Sequence, residues 1–437
     1  MRKKYCIVGV GGRSDMFISA IFGDHIDVAE LCGACDRSRV RMKFILDKNC
    51  EKYEHPEIPQ YGDADFDTML DTHKPDVVIV TTMDCYHHEY ICRAMRKGCD
   101  VITEKPMTTD EVKCQEIIDT QKETGQHVTV TFNYRYTPIA TKVKELIMTG
   151  EIGDVTSVHF EWVLNTSHGA DYFRRWHREK ENSGGLMVHK STHHFDLINW
   201  WLDSTPEIVF AQGSLAFYGK ENAKSRGLTY DYAHYSDDLD ASKKDSFAID
   251  ILADKNLKGM YKDAEEESGY HRDRNVFGGP IDIEDNVCVQ VKYENNALMS
   301  YTLNAHSPWE GYNIMFNGTK GRLEFCLKEN TYVSGAEDDI NLAENREKDT
   351  IVESVVPVIV LQKHFQKPVE VDYEKAVGGH GGGDVRLLKD IFKGVQDDTY
   401  GHAAGFVDGA KSILTGIAAN KSMRTGMPVN VKDLVKF

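Results

Sequence analysis

The chain has no excess of basic side chains. Its 52 Lys and Arg stand against 69 Asp and Glu, a formal net charge of −17. Nucleic-acid backbones are bound by clustered cations, so that class of partner is excluded. An anionic cofactor would need a local device instead, such as a helix N-terminus. No stretch approaches the ~20 apolar residues of a membrane span, which excludes a membrane partner. The opening MRKKYCIVGVGG passes from basic residues straight into a strand and a turn. It lacks the apolar run and small-residue cleavage site of a secretory signal, so the expected compartment is the cytoplasm. No internal repeat and no long low-complexity tract occurs. What remains is ordinary for a globular enzyme: 41% hydrophobic and 28% charged residues in 437. At roughly 150 residues per domain, that length accommodates two or three domains with a large core.

Ten cysteines are present, eight of them within the first 114 residues. A reducing compartment keeps them as thiols. Cys32 and Cys35 form a CxxC inside a predicted buried strand, which reads as a core thiol pair rather than a redox or zinc site.

Strand and helix alternate over the first 130 residues. Predicted strands are Tyr5–Val10, Val28–Cys35, Val77–Thr82, Val101–Thr103 and His127–Phe132. Predicted helices are Phe17–Phe22, Glu89–Lys97 and Asp110–Thr124. The continuous apolar run VVIVTT is that of a parallel strand buried on both faces. This pattern implies a doubly wound parallel sheet over residues 1–133. Residues 134–437 read as an α+β domain with a large, mostly antiparallel sheet. Its alternating strands are Val155–Val163, Ile208–Phe217, Asn286–Tyr293, Ala297–Ala305 and Gly311–Asn317. Gly185–Leu202 reads as one helix. Residues 220–285 are a polar insertion of loops and short helices, expected to cover a cleft or meet another subunit. The glycine-rich 378–383 leads to helices within 384–420, which are expected to pack back on the first domain.

Gly9, Gly11 and Gly12, with Arg13 and Ser14, lie between the first strand and the first helix. Small residues there let the backbone approach a pyrophosphate seated on the helix N-terminus. Asp36 ends the second strand 22 residues after Ser14. An acid at that place accepts hydrogen bonds from ribose hydroxyls and repels a 2′-phosphate. Arg37 softens the repulsion, so NAD is favoured and NADP is possible.

Further motifs follow in order. Thr81-Thr82-Met83-Asp84-Cys85-Tyr86-His87 is similar to the TxPxxxH turn of the Gfo/Idh/MocA oxidoreductases, and Glu104-Lys105-Pro106 to their EKP motif. Asn133-Tyr134-Arg135-Tyr136-Thr137-Pro138 resembles N-x-R-x-x-P, and Gly150-Glu151-Ile152-Gly153 resembles G-x-I-G. Ser183-Gly184-Gly185 precedes the helix that usually carries D-x-x-x-H. The resemblance covers nearly the whole chain except residues 220–280. It implies a Rossmann domain, a sheet domain that builds homodimers or homotetramers, and an active site between them facing the nicotinamide.

The resemblance also implies roles. Lys105, at the carboxyl end of a parallel strand, binds the reacting hydroxyl and assists proton transfer. A buried lysine beside a cationic nicotinamide has a lowered pKa, as acid–base work requires. Thr82, His87, Glu104, Asn133 and Trp176 fall to the cofactor. His193 matches the D-x-x-x-H histidine, a general acid/base titrating near neutrality. His189 stands where the family's acid is usual. It binds the substrate, serves the structure, or pairs with His193 at i,i+4 on a metal. No third ligand can be assigned from spacing, so no metal is expected. His189, His193, Asp196 and Trp200 share one helix face, with Lys190 and His194 adding polarity. Tyr134 and Arg135 either reach substrate or pack the domain interface. His177, beside Trp176, approaches the cleft. His380 either closes over the substrate or sits in a surface connector.

The leading expectation is an NAD(P)-dependent dehydrogenase acting on a secondary hydroxyl of a sugar, sugar acid or inositol. The alternative is a redox-neutral glycosidase working through transient oxidation. A non-catalytic NAD or sugar sensor is the third.

Overall fold

The computed structural model describes residues 2–228, 230–333, 357–375, 379–395 and 398–437. Its first part alternates β1 (Lys3–Val8), α1 (Ser14–Phe22), β2 (Ala29–Cys35), α2 (Arg39–Tyr53), β3 (Gln60–Tyr61) and α3 (Phe66–His73). It continues through β4 (Val77–Val80), α4 (His87–Arg96), β5 (Asp100–Thr103), α5 (Glu111–Thr124) and β6 (Val128–Val130). The six strands are ordered β3-β2-β1-β4-β5-β6, and every pair is parallel. This is the doubly wound order, whose switch point lies between β1 and β4, with ligands expected at the carboxyl ends of those strands. β4 is buried along its whole length, as its continuous Val-Val-Ile-Val requires. Ser38 and Asp110 cap α2 and α5 by accepting backbone N–H bonds from Arg41 and Lys113.

Cys35 is buried in β2 and its thiol is pushed up to about 12 by burial, so it stays protonated. Cys32 departs from the expectation of a buried pair: it is only half-buried. Three residues along a strand put the two side chains on opposite faces.

α6 (Pro138–Met148) starts with Pro138 behind the capping hydroxyl of Thr137. Then come β7 (Val155–Asn165), α7 (Thr166–Arg174), α8 (Lys180–Ser183), α9 (Leu186–His189), α10 (Ser191–Leu202) and β8 (Pro206–Ser214). The single helix expected over Gly185–Leu202 is broken at Lys190. Residues 220–285 hold α11 (Lys220–Ser225), α12 (Leu239–Ser242), α13 (Lys255–Met260) and α14 (Glu265–Ser268), all short. The remaining elements are β9 (Asn286–Tyr293), β10 (Leu298–Ser307), β11 (Glu310–Gly318), β12 (Gly321–Asn330), β13 (Ile359–Lys363), β14 (Val369–Val371), α15 (Gly383–Lys393), α16 (Phe406–Thr425) and β15 (Val429–Asn430).

The second sheet has nine strands, ordered β14-β13-β12-β11-β7-β10-β9-β8-β15. Its pairs are antiparallel except β7 with β10, which is parallel and sets Phe160 opposite Tyr301. One hydrophobic core runs from a face of the parallel sheet through α10 and α16 to this second sheet. The other face of the parallel sheet packs on α1 and α2. There it receives Leu257, Met260 and Tyr261 from the 220–285 segment and Phe392 from α15. Phe392 meets Tyr5 edge-on, with ring centroids 5.2 Å apart. Phe406–Thr425 instead lies mainly against α10 and β8. None of the described helices is long and apolar enough to cross a membrane.

Candidate active site

A cleft of about 970 Å³ opens at the carboxyl ends of β1 and β4 and runs to α9 and the start of α10. Its floor at one end is the glycine turn. Gly9 has φ +86°, and a Cβ there would lie 2.5 Å from the Thr82 nitrogen, so only glycine fits. A Cβ on Gly11 would meet nothing within 4 Å, which leaves its backbone open to the cleft. No side chain caps the N-terminus of α1, so its first-turn N–H groups are available to an anion. Ser14 is fully buried and donates its hydroxyl to the Gly11 carbonyl at 2.7 Å, bracing the turn rather than lining the cleft. These features fit a dinucleotide pyrophosphate.

Asp36 sits at the expected place, but its carboxylate is already engaged. One oxygen accepts from Val10 N–H at 2.6 Å; the other accepts from Ser38 N–H and Arg41, each at 2.7 Å. The acid therefore also braces the glycine turn, and Arg41 offsets its charge. Arg37 lies over the Tyr86 ring at 5.3 Å. Asp36 therefore repels a 2′-phosphate less than an unpaired carboxylate would.

Arg13 donates to Glu104 at 2.8 Å, and Asn133 donates to Asp384 at 2.7 Å, while the Asn133 Oδ1 is buried with no hydrogen-bond partner. His87 places Nδ1 2.7 Å from the Pro106 carbonyl and Nε2 3.0 Å from the Thr82 carbonyl. It ties the two motif loops together from below, although a neutral ring can donate only one of these bonds.

At the other end Lys105 lies half-buried and donates to the His189 carbonyl at 3.2 Å. Burial lowers its pKa; the carboxylates of Asp84 and Glu104 oppose this. His189 Nδ1 lies 2.5 Å from Oδ2 of the buried Asp84. Burial, reinforced by Lys105, holds the imidazole well below its usual pKa. A neutral ring then donates Nδ1–H to Asp84 and keeps Nε2 as an acceptor. His177 packs edge-on to His189 at 4.2 Å and stacks on Trp176 at 3.6 Å. His193 lines the cleft and meets Tyr134 edge-on at 4.8 Å. Lys190 lies over the Trp162 ring at 5.0 Å.

Two expected substrate contacts, Arg135 and His194, are placed otherwise. Arg135 is fully buried and turned away from the cleft, bidentate on Asp196 at 2.8 and 2.6 Å, with Asp408 at 3.0 Å. Asp196 and Trp200 thus belong to the domain interior; Trp200 donates to the Tyr400 carbonyl. His194 is fully buried, stacked on Trp162 at 3.9 Å and bonded to the Tyr301 hydroxyl at 2.7 Å. The side chain of His380 lies outside the described residues, although its backbone is in the turn Gly379–Gly382.

Several lining residues escaped the sequence reading. Asp84 lay unremarked inside a recognised motif. On the facing wall, His168 Nδ1 is 2.6 Å from Glu310, and the Tyr172 hydroxyl is 3.1 Å from His168 Nε2. Asp171 faces three guanidinium groups: Arg272 at 2.6 Å, Arg175 at 3.1 Å and Arg174 at 3.2 Å. Burial raises its pKa, but the three cations outweigh this and hold the carboxyl well below the usual range. Tyr261 and Tyr270, from the 220–285 segment, close the cleft from above the glycine turn. His168, Asp171, Tyr172 and Arg175 share the i, i+3, i+4, i+7 spacing of one helix face, a signal that could have found them; Glu310 and Arg272 reach them only through the fold.

Two family models match the chain. One is described as an oxidoreductase family with an NAD-binding Rossmann fold and matches residues 3–132. The other is described as the C-terminal alpha/beta domain of that oxidoreductase family and matches residues 144–431. The chain belongs to the Gfo/Idh/MocA oxidoreductase family. It is thus an NAD(P)-dependent oxidoreductase whose glycine turn lies in the family's NAD-binding domain. A Bacillus subtilis (strain 168) protein named as an oxidoreductase, YteT, is 35% identical, across all of this chain and 99% of its own. The glucose-6-phosphate 3-dehydrogenase of the same organism is 26% identical over 58% of this chain and 68% of its own. Among solved structures, the WlbA dehydrogenase of Bordetella pertussis, in complex with NADH and UDP-GlcNAcA, superposes with a TM-score of 0.61. That match covers 98% of this chain and 99% of that one at 16% identity, a likeness of fold.

Proposed function

We propose that this oxidoreductase removes hydride from a secondary hydroxyl of a sugar, sugar acid or inositol. The observation that carries the reading is one continuous cleft joining the glycine turn to Lys105, with His189, His193 and Asp84 around it. Gly9, Gly11, Gly12 and the start of α1 would hold the pyrophosphate. Asp36 and Arg37 would meet the adenosine ribose, and Thr82, Glu104, Asn133 and Trp176 would flank the nicotinamide end. When bound, NAD(P) supplies the hydride acceptor.

The protein's own groups handle the proton. Lys105, made less basic by burial, reaches its neutral form more readily than a surface lysine and takes the hydroxyl proton as general base. His189, oriented by Asp84, presents Nε2 to a neighbouring hydroxyl, and His193 offers a second acid/base group on the same wall. Arg175 shares Asp171 with two other cations. Its charge is left over for an anionic substituent, which favours a sugar acid within the class.

The test gives purified protein NAD or NADP with sugars, sugar acids, inositols and their aryl glycosides. NADH absorbance and aglycone release are followed together. Reduced cofactor rising with an unsubstituted sugar or sugar acid supports the dehydrogenase. Aglycone release without net reduction replaces it with the redox-neutral glycosidase. Saturable NAD binding without either signal across the panel replaces it with the sensor.

A further inference from the structure

The 220–285 segment gathers four metal-ligating side chains at a place separate from the catalytic groups. His234 follows α11, Glu265 opens α14, and His271 and Asp273 lie in the irregular stretch after α14. His234 and Arg274 form an antiparallel bridge, and Tyr235 N–H donates to the Asp273 carbonyl at 3.2 Å. The backbone therefore holds the two stretches side by side. One ligand atom each from His234, His271 and Asp273 falls within 4.8 Å of the others. His234 Nδ1 is 3.7 Å from Asp273 Oδ1, and His271 Nδ1 is 3.5 Å from Glu265 Oε1. The two imidazoles lie face to face, with centroids 4.2 Å apart.

These polar atoms lack partners. Both carboxylate oxygens of Asp273, Nδ1 of His234, Nδ1 of His271 and Oε1 of Glu265 are buried with no hydrogen bond. The Asp273 side chain is completely enclosed. A buried carboxylate without a donor is costly, and a cluster of such orphans calls for a missing partner. The two imidazoles each carry an N–H, but at 3.7 and 3.5 Å neither reaches a carboxylate oxygen at hydrogen-bond distance. Lys262 is spent on Oε2 of Glu265 at 2.6 Å and on Ser236.

We propose that His234, His271 and Asp273 bind one divalent transition-metal ion of the zinc class, with Glu265 beside them against His271. Two imidazole nitrogens with carboxylate oxygens are a zinc-type donor set. Ligands of one tetrahedral ion stand about 3.4 Å apart at zinc bond lengths; His234 and Asp273, 3.7 Å apart, are close to this, and His271 closes from within 4.8 Å. Asp273 and the adjacent Glu265 balance the ion's charge.

The site has a structural purpose. Leu257, Met260 and Tyr261 anchor the segment on the first sheet and Val276 and Phe277 on the larger core, but around His234 the apolar packing is only the small cluster of Tyr232, Tyr235 and Ala248. A metal clip joining residues 234 and 273 adds order there. Its consequence reaches the cleft. His271 and Asp273 face the cluster, while their neighbours Tyr270 and Arg272 serve the cleft side. Tyr270 lines the cleft, and Arg272 meets Asp171 at 2.6 Å. The ion thus holds the cleft's roof in place without touching the chemistry.

The experiment uses the full-length protein, stripped with a chelator, incubated with zinc chloride, desalted and measured for metal per chain. Cobalt(II) loading is followed by its visible absorption. About one zinc per chain and a tetrahedral cobalt spectrum are expected, with at least about tenfold weaker binding in Asp273→Asn and His271→Gln. His189→Gln, in the cleft, should retain the metal, and zinc should raise the Tm of the wild type but not of Asp273→Asn. Zinc that washes away completely, or that is lost from His189→Gln and kept by both insertion variants, overturns the proposal.

Discussion

Asp84 and His189 meet across the domain boundary, carboxylate to Nδ1, at 2.5 Å. Asp84 follows the fourth strand of the parallel sheet; His189 ends the one-turn helix before Lys190. Where the family motif usually carries an acid, this chain carries a histidine, and a carboxylate reaches that histidine from the other domain. A buried carboxylate fixes an imidazole's tautomer and orientation.

Asp84→Asn tests that orientation. The amide keeps the shape but no longer selects the Nδ1–H tautomer. We expect kcat to fall about 10- to 100-fold, the scale of a small misplacement in an active site, with Tm and KM close to wild type. Steady-state kinetics with the substrate found in the panel assay decides it, and an unchanged kcat would remove Asp84 from the mechanism.

The pH dependence of turnover isolates Lys105. Its folded pKa is lowered from 10.5 by burial. Oxidation requires the neutral amine, so kcat/KM for oxidation should rise with pH through an apparent midpoint below 10.5, and the reverse reduction should fall. Lys105→Met should cost about 10²- to 10⁴-fold, the range for a general base, and flatten the rise. Tight NAD binding, followed by fluorescence, should survive the substitution. A rise that persists in Lys105→Met assigns it to another group.

The elements tied to backbone need were readable from sequence, and those made by long-range pairing were not. The glycine turn, β4 and the Glu104-Lys105-Pro106 loop are short-range statements: glycine where a Cβ collides, apolar runs where both faces are buried. Arg135 carried the opposite risk. Its motif places it next to the cleft, but Asp196 and Asp408, 61 and 273 residues away, pull it into the interior. The break at Lys190 has no proline or glycine to announce it. The helix Arg39–Tyr53 gives little sequence signal, because only Met42, Ile45 and Leu46 are buried apolar side chains among many charged ones. The His234–Asp273 cluster spans residues whose spacing suggests nothing until the bridge brings them together.

Stability should decline on the acid side for a specific reason. His177, His189 and His194 are held well below their usual pKa by burial, the last two with help from Lys105 and Lys190. A histidine whose folded pKa is depressed binds protons more readily when unfolded. Its contribution is therefore complete above the unfolded value near 6.5 and is lost as pH falls below it. Asp84 and Asp196 work the other way, since burial raises their pKa and favours the folded state on protonation. The three histidines outnumber these two, so Tm should drop between pH 6.5 and 5. His194→Phe, which keeps the stack on Trp162 and touches nothing in the cleft, should make that drop shallower. An identical slope in the variant would show that His194 takes up its proton equally in the folded and unfolded chain.

Arg135 separates a structural cation from a substrate ligand. Its guanidinium is bidentate on Asp196, reaches Asp408 and the Gly401 carbonyl, and lies 5.8 Å from both the Phe132 and Trp200 rings. Burial pushes Asp196 up to about 6 even with this cation beside it. Removing the cation alone strands a carboxylate in the interior, and breaking one side of a buried pair costs about 3–5 kcal/mol. Arg135→Ala should therefore lower the urea midpoint sharply, and Arg135→Lys, which loses the planar fork, should recover only part of it. Arg135→Ala/Asp196→Ala removes both charges and should be more stable than Arg135→Ala alone. Under conditions where the variants remain folded, KM for substrate should match the wild type, because the guanidinium lies outside the cleft lining. A raised KM with an unmoved urea midpoint would return Arg135 to the substrate.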